Sequence, residues 1–121
     1  MTFYEEVGGE TFFADLISQF YAHVATDPIL RPMYPDSDMK GAAERLQMFL
    51  EQYWGGPSTY SEERGHPRLR MRHAPYAIDD GMRDRWMTHM TKALQVCVSS
   101  PEIVAEMHDY FVRAADHMRN V

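Results

Sequence analysis

The residues richest in chemical options lie in one short segment, Arg64 to His73, which reads RGHPRLRMRH and runs into Ala74-Pro75-Tyr76. It holds four of the twelve Lys and Arg residues and two of the six histidines, in a chain of formal net charge −6. Cations this concentrated in an acidic protein usually face a specific anion. Arginine suits a carboxylate because its planar fork donates two parallel hydrogen bonds. The alternative is a solvated face, and at least one of the four arginines is expected to be only that. His73 closes the run and is the leading candidate for metal ligation. Its plainer alternative is a surface histidine whose charge suits the end of a short helix.

Other chemistries fit less well. His66 and His73 are separated by six residues that include Pro67, which is not the usual histidine spacing of a zinc site. His23, His89, His108 and His117 form no local pair at ligand spacing, so a multi-histidine metal site is not expected. One histidine suffices for iron when a macrocycle supplies the other four ligands. Such a cofactor carries two carboxylates, which the arginine run would satisfy. Cys97 is the only cysteine and sits on an apolar face, where a thiol is usually inert. No Gly-x-Ser-x-Gly elbow is present, and Gly8-Gly9 and Gly55-Gly56 lack the Gly-Lys-Ser/Thr element of a phosphate loop. Glu62-Glu63 reads as a solvated pair. Tyr21, Tyr34 and Trp86 lie on or beside apolar faces. They are either core aromatics with a satisfied polar tip or hydrogen-bond donors to a small ligand, and spacing leaves both open. The methionines read as flexible core filler.

Helices must position these groups. Thr2 and Glu5 have capping-box spacing, which predicts a short helix from Phe3 that stops before Gly8-Gly9. Phe12, Phe13, Leu16, Ile17, Phe20, Tyr21 and Val24 recur at helical spacing, ended by Asp27-Pro28. Ile29 to Met33 reads as a turn. Met39, Ala42, Ala43, Leu46, Phe49, Leu50 and Tyr53 mark a second long helix, stopped by Gly55-Gly56-Pro57. Residues 55–67 read as a long loop, and Arg68 to His73 as one or two helical turns before Pro75. Loops of that length in compact domains are often functional. A third long helix starts after Asp79 or Asp80, with Met82, Trp86, Met90, Ala93, Leu94 and Cys97 on one face. Ser100-Pro101 opens the fourth, which carries Ile103, Val104, Met107, Phe111, Ala114, Ala115 and Met118. No strand pattern is present, so the fold class is all-α.

The chain has 121 residues, 45% hydrophobic and 25% charged, the size and composition of one globular domain, residues 1–121. No stretch approaches the ~20 apolar residues that span a bilayer, so no membrane span is expected. The opening MTFYEEVGGE is acidic and lacks the pattern of a secretion signal. With the lone cysteine, this makes a cytoplasmic location the expectation. The acidic balance argues against nucleic acid as a partner.

Taken in order, Phe20-Tyr21, Leu30-Arg31-Pro32-Met33-Tyr34-Pro35, RLQMFLEQYWGGPSTYSEERGHPRLRMRHAPY from Arg45 to Tyr76, and Arg85-Trp86 resemble a truncated haemoglobin of group II. The resemblance runs from Phe3 to about Met90, and the block from Tyr53 to Pro75 is its most specific part. It implies a shortened globin fold, a two-over-two helical sandwich around haem b (iron protoporphyrin IX). It implies His73 as the proximal iron ligand, and Tyr21, Tyr34, Trp86, Ala42 and Leu46 as the distal pocket. Ala42 matches a position where many globins place a histidine. Leu46, Phe49, Leu50, Leu69, Met33, Tyr34 and Trp86 would contact the haem. Arg45, Arg70 and Arg72 would meet its propionates, Arg72 most directly because it adjoins His73.

That resemblance leads to an oxygen binder that also takes other diatomic ligands. Its competitor is a haem redox enzyme acting in nitric oxide dioxygenation or peroxide reduction, with a reductase or other electron donor that the sequence does not identify. A third reading, a cofactor-free module whose basic run binds an acidic partner, is disfavoured by the net charge. Exposed apolar edges are compatible with a homodimer, and no sequence feature specifies one.

Overall fold

The computed structural model describes residues 1–121, apart from the side chain of Asp36. The helices are α1 (Phe3–Val7), α2 (Gly9–Val24), α3 (Met39–Tyr53), α4 (Thr59–Arg64), α5 (Leu69–His73), α6 (Asp80–Cys97) and α7 (Pro101–Met118). Short 3-10 turns at Arg31–Met33 and Asp36–Asp38 link α2 to α3. No strand occurs among the described residues. Among the described residues no helix is long and apolar enough to cross a membrane.

Four long helices form the frame, as the apolar spacing predicts. α2 packs on both α3 and α6, and α6 packs on α7, giving two helix pairs joined across α2 and α6. Phe13, Leu16, Phe20 and Val24 of α2 are fully covered, together with Met90, Ala93 and Leu94 of α6 and Met107 of α7. Each buried Phe or Leu contributes roughly 1.5–3 kcal/mol of transfer free energy. Leu50 carries α3 into the same core.

The helix starts follow from local chemistry. Thr2 Oγ1 accepts from Glu5 N at 3.1 Å, and its hydroxyl donates to Glu5 Oε1 at 3.2 Å. This varies the expected capping box, because the Glu5 carboxylate meets the cap hydroxyl. Gly8 ends α1 in the left-handed region at φ 118°, open to glycine at little cost. Asp79 caps α6 by accepting from Met82 N at 2.8 Å, and Ser100 caps α7 by accepting from Ile103 N at 3.4 Å.

The expected loop at 55–67 is corrected: Thr59–Arg64 is helical. The reason is tertiary. Tyr60 is only 4% exposed and meets Phe49 edge-to-face at 5.6 Å. The Gln52 carboxamide accepts from Ser61 N at 2.9 Å and donates to Ser61 Oγ at 2.8 Å. A six-residue helix shows too little periodicity to be read locally, and it exists because α3 holds it. Gly56 is needed just before it. A Cβ there would lie 2.6 Å from the Tyr4 ring and 2.8 Å from the Glu51 carbonyl.

Candidate functional site

His73 is the last residue of α5 and is half-buried. Its Nδ1 lies 2.6 Å from the carbonyl oxygen of Leu69, one turn earlier. A carbonyl only accepts, so Nδ1 carries the proton. A neutral ring then keeps its lone pair on Nε2. Leu69 thus acts through its backbone, and its side chain is half-buried beside it.

The arginines behave in three ways. Arg72 folds back on its own loop, with Nε donating to Pro67 O at 2.7 Å and Nη2 to Arg64 O at 3.0 Å and His66 O at 3.4 Å. Arg70 ties α5 to the end of α7 by donating to His117 O at 3.1 Å and Arg119 O at 3.4 Å. These partners are neutral carbonyls. Every ion pair among the described residues uses cations outside the run. Among the described residues no carboxylate pairs with Arg70 or Arg72, so their hydrogen bonds hold the positive charge in place without neutralising it. Arg45 differs: its guanidinium grips Asp38 at 2.7 and 3.3 Å. Arg64 and Arg68 are exposed. Arg68 adopts φ 43°, the only left-handed non-glycine backbone among the described residues, and turns the chain into α5.

The aromatic donors form a row. Tyr21 meets Tyr34 edge-to-face at 5.7 Å, and Tyr21 meets Phe20 at 4.9 Å. Phe20 meets Trp86 at 5.0 Å, and Trp86 meets Phe111 at 5.7 Å. Tyr34 sits between the 3-10 turns, where Arg31 Nη1 donates to its carbonyl at 2.7 Å. Burial, with Tyr34 as charge and hydrogen-bond partner, pushes the Tyr21 phenol far above its ordinary value. Burial also raises Tyr34, partly opposed by its bond with Tyr21. Both phenols thus remain protonated donors at neutral pH. Each phenol therefore keeps an O–H that can be donated to a third group.

On α3, Ala42, Leu46 and Phe49 fall at helical spacing and are half-buried, as is Met33 in the preceding turn. Leu50 is 1% exposed and belongs to the core. The single nitrogen donor, the partly uncovered apolar residues and the uncompensated cations fit a flat apolar group that carries an iron and two carboxylates. No group of three or more ligating side chains occurs among the described residues.

Two polar centres escaped the sequence reading. Asp27, 5% exposed, accepts from Ile29 N at 2.8 Å and Leu30 N at 3.0 Å. It also accepts from Arg85 Nη1 at 3.0 Å and His89 Nε2 at 2.6 Å, fastening the end of α2 to α6 on both sides of Trp86. Asn120 binds the backbone that follows His73. Asp27 is visible in sequence only as a helix stop, and nothing local marks Asn120.

An all-helical fold that carries a half-buried histidine at the end of a basic segment and a row of aromatic side chains across α2, α6 and α7 is that of a globin-type protein, and residues 2–120 match the model of the bacterial-like globin family. Over 117 residues the chain is 38% identical to the group 2 truncated hemoglobin YjbI of Bacillus subtilis, covering 97% of this chain and 87% of that protein. The thermostable hemoglobin of the actinobacterium Thermobifida fusca superposes with TM-score 0.97 at 56% identity, covering 100% of this chain and 98% of the other. The truncated oxygen-avid haemoglobin of Bacillus subtilis superposes with TM-score 0.92 at 38% identity, covering 99% and 100%. The chain belongs to the bacterial-like globins and, within them, to the truncated haemoglobins of group II. Haem-based ligand binding is the chemistry of that family.

Proposed function

We propose that the chain, as one domain over residues 1–121, holds haem b with His73 as its axial ligand and binds oxygen and other diatomic ligands beside Tyr21, Tyr34 and Trp86. The observation that carries this reading is the His73 ring, whose Nδ1 proton is committed to Leu69 O and whose Nε2 is left as the donor. Haem, when bound, supplies a metal centre with one coordination position open to a small ligand.

The chain's residues do the rest. Leu69 O fixes the tautomer and strengthens the imidazole as a donor. Met33, Leu46, Phe49 and Leu69 cover the flat apolar group, and Leu50 anchors α3 beneath them. Arg70 and Arg72 offer unneutralised charge to its carboxylates. Arg45 reaches one only by sharing or leaving Asp38. Ala42 gives the ligand room and donates nothing. Polar contact with the ligand then falls to the phenol O–H groups of Tyr21 and Tyr34 and to the Trp86 indole N–H. A donor aimed at a ligand of partial negative charge contributes about 1.5 kcal/mol in a dry pocket, roughly tenfold in escape rate. The oxygen avidity of the Bacillus subtilis protein supports slow release here as well.

The purified protein is expected to be red, with a strong near-ultraviolet haem band. His73→Gly is expected to lose or rearrange that band, and added imidazole to restore it. A colourless protein that haemin does not reconstitute refutes the reading. So does a His73→Gly variant with the wild-type spectrum.

A further inference from the structure

α5 has five residues, far below the roughly 12–15 at which an isolated helix becomes even marginally stable. Its position therefore depends on bonds to other parts of the chain. Arg70 supplies one set, to the carbonyls at the end of α7. The other set is centred on Asn120, forty-seven residues from His73.

The Asn120 carboxamide is fully used. Its Nδ2 donates to the carbonyl of His73 at 3.3 Å and to the carbonyl of Tyr76 at 2.8 Å. Its Oδ1 accepts from Ile78 N at 2.9 Å. The backbone joins in, with Asn120 N donating to Ile78 O at 3.0 Å. Carbonyls in the last turn of a helix lack intrahelical partners. Pro75 has no N–H to offer and ends the helix. Tyr76 N and Asn120 Nδ2 are the donors that reach His73 O. Only a carboxamide can give protons to two carbonyls and take one from an amide in this arrangement. Aspartate keeps the shape and the acceptor but loses both donors.

We propose that Asn120 is a positioning residue for His73: by holding the His73 carbonyl and the turn to Ile78, it sets where the imidazole of a five-residue helix stands. This rests on the reading of His73 as the haem ligand. The Leu69 contact fixes which nitrogen faces outward, and the Asn120 contact fixes the backbone from which that nitrogen projects.

The test compares haem-loaded wild type, Asn120→Asp, Arg119→Ala and His73→Gly. Arg119 lies next to Asn120 in the same segment and pairs with Asp80 at 2.6 Å, so its removal loosens the segment without touching His73. Resonance Raman of the ferrous proteins reads the iron–histidine stretching band, and transfer to an acceptor apoprotein reads haem release. Asn120→Asp is expected to shift the band and to speed haem release by about five- to twentyfold. Arg119→Ala is expected to leave the band in place. An unmoved band in Asn120→Asp, with the band lost in His73→Gly, overturns the role of Asn120 and leaves His73 as the ligand. An equal shift in Arg119→Ala overturns it too, because anchoring of the segment alone would then suffice. A wild-type protein without the band overturns the role of His73 and that of Asn120 together. Should Asn120→Asp fail to take up haem, Asn120→Ser, uncharged and with one donor, carries the same comparison.

Discussion

Replacing Asp27 by asparagine is expected to cost about 3 kcal/mol of folding stability, and the geometry says why. Three donors converge on Oδ1, from Ile29 N, Leu30 N and Arg85, and His89 Nε2 reaches Oδ2. Asparagine keeps an oxygen for the first three but turns an N–H toward the fourth, so two donors face each other across 2.6 Å in the native arrangement. His89 can escape by moving its proton to Nδ1. That atom is buried without a hydrogen-bond partner, and its new N–H would be unsatisfied. Arg85 is 45% exposed, so its share of the loss is screened by water and small. Most of the cost therefore comes from the His89 side. For a chain of this size it corresponds to a fall in Tm of about 10 °C.

The pH dependence provides a second signature. Burial alone would raise the Asp27 carboxyl, but hydrogen bonds from His89, the Leu30 and Ile29 amides and Arg85 outweigh it and hold the group far below the usual carboxylate range. A depressed folded-state value means that the unfolded chain takes up this proton first. The stabilisation is complete above the unfolded value of about 4 and is lost as pH falls from there toward the folded value. Thermal unfolding followed by circular dichroism, at fixed haem saturation, is expected to give a gap between wild type and Asp27→Asn. That gap is constant from about pH 5 upward, as far as Asp27 is concerned, and narrows on acidification. Equal melting temperatures at pH 7, or a gap that widens below pH 4, would refute the reasoning.

Trp86→Phe keeps the packing against Phe20 and Phe111 and removes the indole N–H. Oxygen release measured by stopped flow is expected to speed by roughly tenfold, and an unchanged rate would make Trp86 a packing residue only. Tyr60→Ala removes the one buried side chain of α4, with an expected cost of about 3 kcal/mol. Limited proteolysis near Arg64 should accelerate with it; unchanged cleavage would mean that the Gln52–Ser61 bonds suffice to hold α4.

How far the molecule was legible in sequence depended on the range of the interactions involved. The long helices carry enough turns for apolar spacing to show, and Asp79 and Ser100 announce their caps within three residues. His73 and its arginines stood out because the cluster is dense. Where those arginines point was not legible, since Arg72 binds carbonyls and Arg70 binds residues forty-seven and forty-nine positions away. The helix at 59–64 was missed because its stabilisation lies in Phe49 and Gln52 of α3. Asp27 was read only as a stop, because its decisive partners are fifty-eight and sixty-two residues distant.

The pieces proposed to bear the chemistry are the ones least able to stand alone. His73 ends a five-residue helix, and Tyr34 sits between two three-residue turns. The hydrophobic core does not reach far into either segment; Met33, Tyr34, Leu69 and His73 are all half-buried. Their placement is instead delegated to single polar side chains that cross the fold. Asn120 and Arg70 hold the histidine segment, and Arg31 holds Tyr34 by its carbonyl. Asp27 sets α2, which carries Tyr21, against α6, which carries Trp86. A hydrogen bond fixes direction where apolar contact fixes only proximity, so such groups suit the proposed site, in which several donors would converge on one small ligand. The basic run follows the same logic. Arg72 and Arg70 bind carbonyls, which hold the guanidinium groups without cancelling their charge, so the segment keeps the positive charge that the proposed haem carboxylates would require.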